Sequence, residues 1–156
     1  MNDSDPLLRD AFYGQTNFSA HPEYNIVNTG NATSIRLIVS NYFPVMHNMH
    51  LHGKSDFWVL AEGVGKWDGV ITNPDNPQRR DGQQLGPGTP DEPTYIVIQW
   101  EADNPGVWPF HCHLIVHASA GLYMNIIVRL PSCHSLYFCF IHSFCLYDMT
   151  ANIVLK

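Results

Sequence analysis

Short runs of β-branched and aromatic residues, broken by Gly, Pro or Asn, recur along this chain and leave few folds open to it. The runs cover residues 24–28, 35–40, 57–61, 95–100, 107–111 and 122–129. Each has the length and composition of a strand, and no window carries a convincing 3.6-residue apolar period. Six or so short strands in about a hundred residues read as an all-β sandwich or barrel. At 156 residues the chain is long enough for one domain with a proper core and too short for two.

The punctuation also marks what lies outside that domain. Residues 73–93 hold five Pro and three Gly and read as one long irregular segment, which in a compact domain is usually functional or mobile. From residue 131 the sequence turns aromatic and Cys-rich, without strand alternation or turn residues. The expected organisation is an N-terminal extension over 1–20, a domain over 21–130 and an irregular tail over 131–156.

Charge and hydropathy remove several function classes. The formal net charge is −6, and no basic run is longer than Arg79-Arg80, so nucleic acid and anionic membrane surfaces are not expected partners. A spanning helix needs roughly 20 apolar residues. The best window, 136–147, is shorter and is broken by His142 and Ser143. The opening residues are acidic where an export signal would be basic and then apolar, so no signal peptide is expected in the chain as written. Sequons of the N-x-[ST] type at Asn2, Asn17 and Asn31 hint at a secreted parent.

Nine His is a high count, and six of them fall in two short clusters. The first is His47-Asn48-Met49-His50-Leu51-His52-Gly53. In extended chain, side chains two apart share a face, so His50 and His52 can face one metal centre while His47 is free to serve another. Imidazole suits copper, zinc, iron and nickel, so this cluster alone does not choose a metal. The second cluster is His111-Cys112-His113-Leu114-Ile115-Val116-His117. On a strand, His111 and His113 share one face and Cys112 takes the other, so one tripeptide can touch two metal centres. A trigonal His₂Cys set with a weak axial position is the pattern of blue copper. Cys112 and His117 supply two such ligands, and His47 is the natural third. Zinc also accepts Cys with His, but its closed sites use paired C-x-x-C or H-x₃₋₅-H spacings that this arrangement lacks.

At these residues the sequence resembles the C-terminal cupredoxin domain of multicopper oxidases, fungal laccases of the ascomycete type in particular. The family's H-P-x-H-L-H-G and H-C-H-x-x-x-H-x-x-x-G motifs correspond to HNMHLHG and HCHLIVHASAG. The stretches Asn76-Pro77-Gln78-Arg79-Arg80-Asp81 and Asp103-Asn104-Pro105-Gly106 are laccase-like too, and the resemblance covers roughly residues 20 to 130. Asn48 stands where the family usually has Pro, and Val116 where it often has Trp.

The resemblance implies a Greek-key β-sandwich or barrel of the cupredoxin type, with copper as cofactor. It implies type 1 copper on His47, Cys112 and His117, with Leu122 in the axial place. It further implies a type 2 ligand in His50 and type 3 ligands in His52, His111 and His113. Electrons from a phenolic or other aromatic donor would enter at His117. They would pass from Cys112 through His111 and His113 to a trinuclear cluster that reduces dioxygen to water. A Leu cannot coordinate copper as Met can, so a stronger oxidant is expected.

That cluster needs four more His, in two H-x-H motifs of an N-terminal cupredoxin domain. His21, His134 and His142 are the His left here, and none makes such a pair. The type 1 site is thus expected to be whole and the type 2 and type 3 sites to be half present. The chain reads as a piece of a longer secreted enzyme, inactive as an oxidase alone, with a tail that a misread gene would explain. Cys133, Cys139 and Cys145, with His134 and His142, match no metal spacing with a physical basis. Two alternatives stay open at this point: a ferroxidase, which needs acids such as Asp81, Glu101 or Asp103 beside His117, and a non-catalytic blue-copper module.

Overall fold

The computed structural model describes residues 10–11, 15, 17–129, 140–142 and 149–155. Two sheets face one another. The first has the order β1 (Ile26–Asn28), β9 (Tyr123–Val128), β8 (Gly106–Cys112), β3 (His47–Leu51) and β6 (Gly82–Leu85). The second runs β10 (Phe140–His142), β11 (Met149–Leu155), β2 (Ser34–Asn41), β7 (Thr94–Glu101), β4 (Phe57–Val64) and β5 (Gln78–Arg80). A one-turn helix, α1 (Ile115–Ser119), joins β8 to β9. The chain crosses repeatedly between sheets, as in the cupredoxin sandwich expected, and all pairs are antiparallel except β1 with β9.

The sandwich arises from two-residue alternation. On β2, Ile35, Leu37 and Val39 are fully buried, and on β7 so are Ile96 and Ile98. Met49 and Leu51 from β3, Phe110 and Cys112 from β8, and Met124, Ile126 and Val128 from β9 close the same core from the other sheet. Burial of each such large apolar side chain contributes about 1.5–3 kcal/mol.

The six expected strands all form, with ends shifted by at most three residues. The segment 73–93 is more ordered than its Pro and Gly content suggests, because β5 pairs with β4 and β6 pairs with β3 inside it. Apart from buried Leu85 at the end of β6, their residues are Gln, Arg and Gly, so ladder bonds to a neighbour recruit them where no hydrophobic run announces them. The tail differs from its expected irregularity in the same way. Strand β11 pairs with β2 over seven positions, from Met149↔Asn41 to Leu155↔Ile35. It satisfies backbone groups that an edge strand would leave unpaired. Cys133, His134, Cys139 and Cys145 lie outside the described residues.

Candidate metal centre

Strands β3 and β8 lie side by side, with Met49 opposite Cys112, His50 opposite His111 and Leu51 opposite Phe110. The pleat sends His47, Met49, Leu51, Phe110 and Cys112 into the core. His50 and His111 go to the outer face of the sheet and are half-buried, and His52 and His113 beyond them are exposed. The two motifs therefore place ligand-type side chains on both sides of one sheet.

On the inner side, the donor atoms of His47, Cys112 and His117 all lie within 4.8 Å of one another. His117 Nδ1 is 3.1 Å from His47 Nδ1 and 3.5 Å from Cys112 Sγ. His47 and Cys112 are 0% exposed and His117 is 9% exposed. Burial, reinforced by the neighbouring His117, lowers the His47 pKa from 6.5 to about 4. The imidazole is thus neutral near pH 7 and keeps a lone pair for a metal.

The loop carrying His117 is closed by backbone bonds. The His117 N–H donates to the Leu114 carbonyl, the Leu122 N–H to the His117 carbonyl, and the Cys112 N–H to the Leu122 carbonyl, at 2.9, 3.0 and 3.0 Å. Gly121, at φ +106°, makes the reversal that an L side chain would resist. Leu122 is buried in the same core cluster as Cys112. Two imidazoles and one thiol, converging and shielded from water, suit copper of the blue type by donor chemistry.

On the outer side, four rings form an array. Ring centroids lie 4.8 Å apart for His50 and His52, 5.1 Å for His52 and His111, 5.6 Å for His50 and His113, and 5.9 Å for His111 and His113. His50 Nδ1–H donates to the Asp81 carbonyl at 2.8 Å, which leaves Nε2 with the lone pair. His111 Nδ1–H donates to the Cys112 carbonyl at 2.9 Å, so its Nε2 is the acceptor in the 2.9 Å contact with His52 Nε2. Burial, then the neighbouring His50, His111 and His113, lowers the His52 pKa.

Sequence reasoning missed two supports of this face. One is the Asp81 carbonyl, a backbone atom that no side-chain motif marks. The other is Tyr123, opposite His111 on β9, whose ring stacks on His111 at 5.9 Å and 26°. Its place next to Leu122 in sequence was the available signal. The acids the ferroxidase alternative requires lie toward the outer histidines. Asp81 adjoins His50, Asp103 binds Lys54, and Glu101 lines a shallow depression with His52 and Lys54. The turn bearing His117 is instead apolar and outward-facing, with Leu114 at 43%, Ile115 at 79% and Val116 at 65% exposure.

The multicopper oxidase sequence profile matches residues 2–132. An oxidoreductase of Aspergillus fumigatus, tpcJ, is 43% identical over 88 residues, which is 56% of this chain and 14% of that protein. Laccase-1 of Botryotinia fuckeliana is 36% identical over 110 residues, 67% of this chain and 18% of that one. The structure of the L499M mutant of the laccase from B. aclada superposes with a TM-score of 0.68 at 29% identity, covering 85% of this chain and 24% of that structure. The chain thus spans less than a fifth of the length of these two curated relatives.

Proposed function

This chain belongs to the multicopper oxidases, and from that premise we propose that it is the copper domain of a laccase-like enzyme that oxidises phenolic or related aromatic donors. The observation that carries the proposal is the division of β8, with Cys112 turned inward to His47 and His117 and His111 turned outward to His52. His47, Cys112 and His117 would hold a type 1 ion, with Leu122 in the axial place. His50 would serve a type 2 ion, and His52, His111 and His113 a type 3 pair. Copper in these places would supply one-electron oxidation of the donor and four-electron reduction of dioxygen to water.

The chain's own residues divide the remaining tasks. His117 keeps the one exposed edge among the three inner residues, so the donor would meet the protein there. Leu114, Ile115 and Val116 on the same turn favour an aromatic ring over a hydrated ferrous ion. Cys112 links the two faces covalently, through the backbone to His111 and His113. An N-terminal cupredoxin domain of the parent would bring the imidazoles the outer face needs. Exposed sequon residues Asn17 and Asn31 support a secreted parent.

Adding cupric ion to the purified chain tests this directly. It should produce the intense visible absorption of a thiolate–copper bond, with no dioxygen reduced to water. Copper uptake without that absorption would defeat the type 1 assignment, and four-electron dioxygen reduction by this chain alone would defeat the need for a partner domain.

A further inference from the structure

Of the outer-face histidines, His52 and His113 each lie just past the end of a strand, and His52 is the one that meets His111 Nε2. It lies just past the last residue of β3, and its N–H donates to the Pro109 carbonyl at 2.9 Å. Proline has no N–H to return, so the ladder between β3 and β8 stops there. His111, by contrast, sits inside β8 with paired neighbours on both sides, opposite His50 and Tyr123.

The turn after His52 is tightly packed. Gly53 has φ +74°, and a Cβ built on it would fall 2.1 Å from the Trp108 ring. A Cβ on Gly106 would fall 2.7 Å from the same ring. The indole is thus seated against two glycines. Trp108 Nε1–H donates to the Asn104 carbonyl at 2.9 Å, and the Asn104 side-chain amide donates to the Gly53 carbonyl at 2.8 Å. Ring contact and hydrogen bonds together fix the peptide that leaves His52.

We propose that Gly53, Asn104 and Trp108 form a clamp that positions His52 against His111. Trp108 and Asn104 touch no reacting group in this arrangement; they act through Gly53 on the direction of the His52 side chain. The ladder's end at Pro109 gives His52 the reach to approach His111 Nε2, and the clamp removes the freedom that this end would otherwise leave. The role of His52 in catalysis rests on the copper reading above, whereas the clamp itself is a property of the metal-free chain.

The test uses nuclear Overhauser effects between the His52 and His111 rings in the full metal-free chain, comparing wild type with Asn104→Ala and Trp108→Phe. Both variants should lose these ring-to-ring effects several-fold. The effects between His111 and Tyr123 should persist as an internal reference, and cupric ion should still give the thiolate–copper absorption. A lower unfolding temperature with the His52–His111 effects intact in either folded variant would make the clamp merely structural and overturn the proposal. Wild-type chain without the copper absorption would fail the copper reading instead, and the ring effects would still decide the clamp.

Discussion

The two faces of the β3–β8 pair hold the same kinds of side chain under opposite conditions. Inside, His47 and Cys112 are fully buried and meet His117, with the three donor atoms within 4.8 Å of one another. Outside, half-buried His50 and His111 and exposed His52 and His113 stand in an array with rings 4.8–5.9 Å apart. Burying a polar group without partners is costly, so the inner side chains have to find one another when the domain folds. Solvated imidazoles carry no such demand, and an outer face can be left for another domain to cover. The pleat alone separates the two, since Cys112 and His111 are neighbours in sequence.

The largest expected effect breaks the comparison at its centre. Cys112→Ser should abolish the thiolate–copper absorption completely, because a hydroxyl provides no sulfur charge transfer. Electron paramagnetic resonance should still detect cupric ion on imidazole nitrogen alone. Replacing His50 and His113 together with Ala should do the reverse, leaving the absorption intact. Should Cys112→Ser also remove the imidazole signal, the faces are one site and the comparison fails.

Next in size is the acid response of the inner face. The folded-state pKa of His47 is lowered to about 4 from 6.5, so between these values the unfolded chain binds the proton that the folded chain refuses. Stability from this group is therefore full above pH 6.5 and is lost as pH falls toward 4. The difference amounts to roughly 3 kcal/mol. Urea unfolding of the metal-free chain at several pH values should track this course, and His47→Gln should flatten it over that window. A wild-type chain equally stable at pH 4 and pH 7 would mean that His47 is not held neutral. His52 also has a lowered pKa but remains exposed, so its share should be smaller.

The legible part of this molecule was what its pleat and its chemistry share. Alternation over His47–Leu51 and Gly106–Cys112 separates inner from outer side chains without any knowledge of the third dimension. The meeting of His117 with His47, 70 residues apart, was legible only from donor chemistry and from the resemblance. Donor chemistry made His47 the natural third of a His₂Cys set, whereas spacing alone does not bring distant strands together. Strands β5 and β6 escaped notice because polar residues form strands only when a neighbour offers its ladder. The Asp81 carbonyl escaped for a related reason: any residue type could have supplied it. Gly53 closed the first laccase-like motif and Trp108 lay between two such stretches, yet only the seating of one on the other gives them a purpose.

The smallest effect sharpens the comparison at the rim of the outer face. Lys54 Nζ lies 3.0 Å from both Asp103 carboxylate oxygens and 3.3 Å from Asp56. Partial burial opposes the lysine's charge, but hydrogen bonds to Asp103 and Asp56 outweigh it and raise its pKa, while the bond to Lys54 lowers that of Asp103. Both carboxylates face solvent, with side chains 48–56% exposed. Water and salt screen such pairs, and exposed ion pairs are worth about 1 kcal/mol or less. Lys54→Met should therefore lower stability by no more than that in urea unfolding. Salt should erase the difference from wild type as the Debye length falls to about 3 Å near 1 M. The copper absorption, which depends on the buried face, should not change. A loss of several kcal/mol that persists in salt would place Lys54 with the buried structure, and the boundary between the two faces would have to move outward to include it.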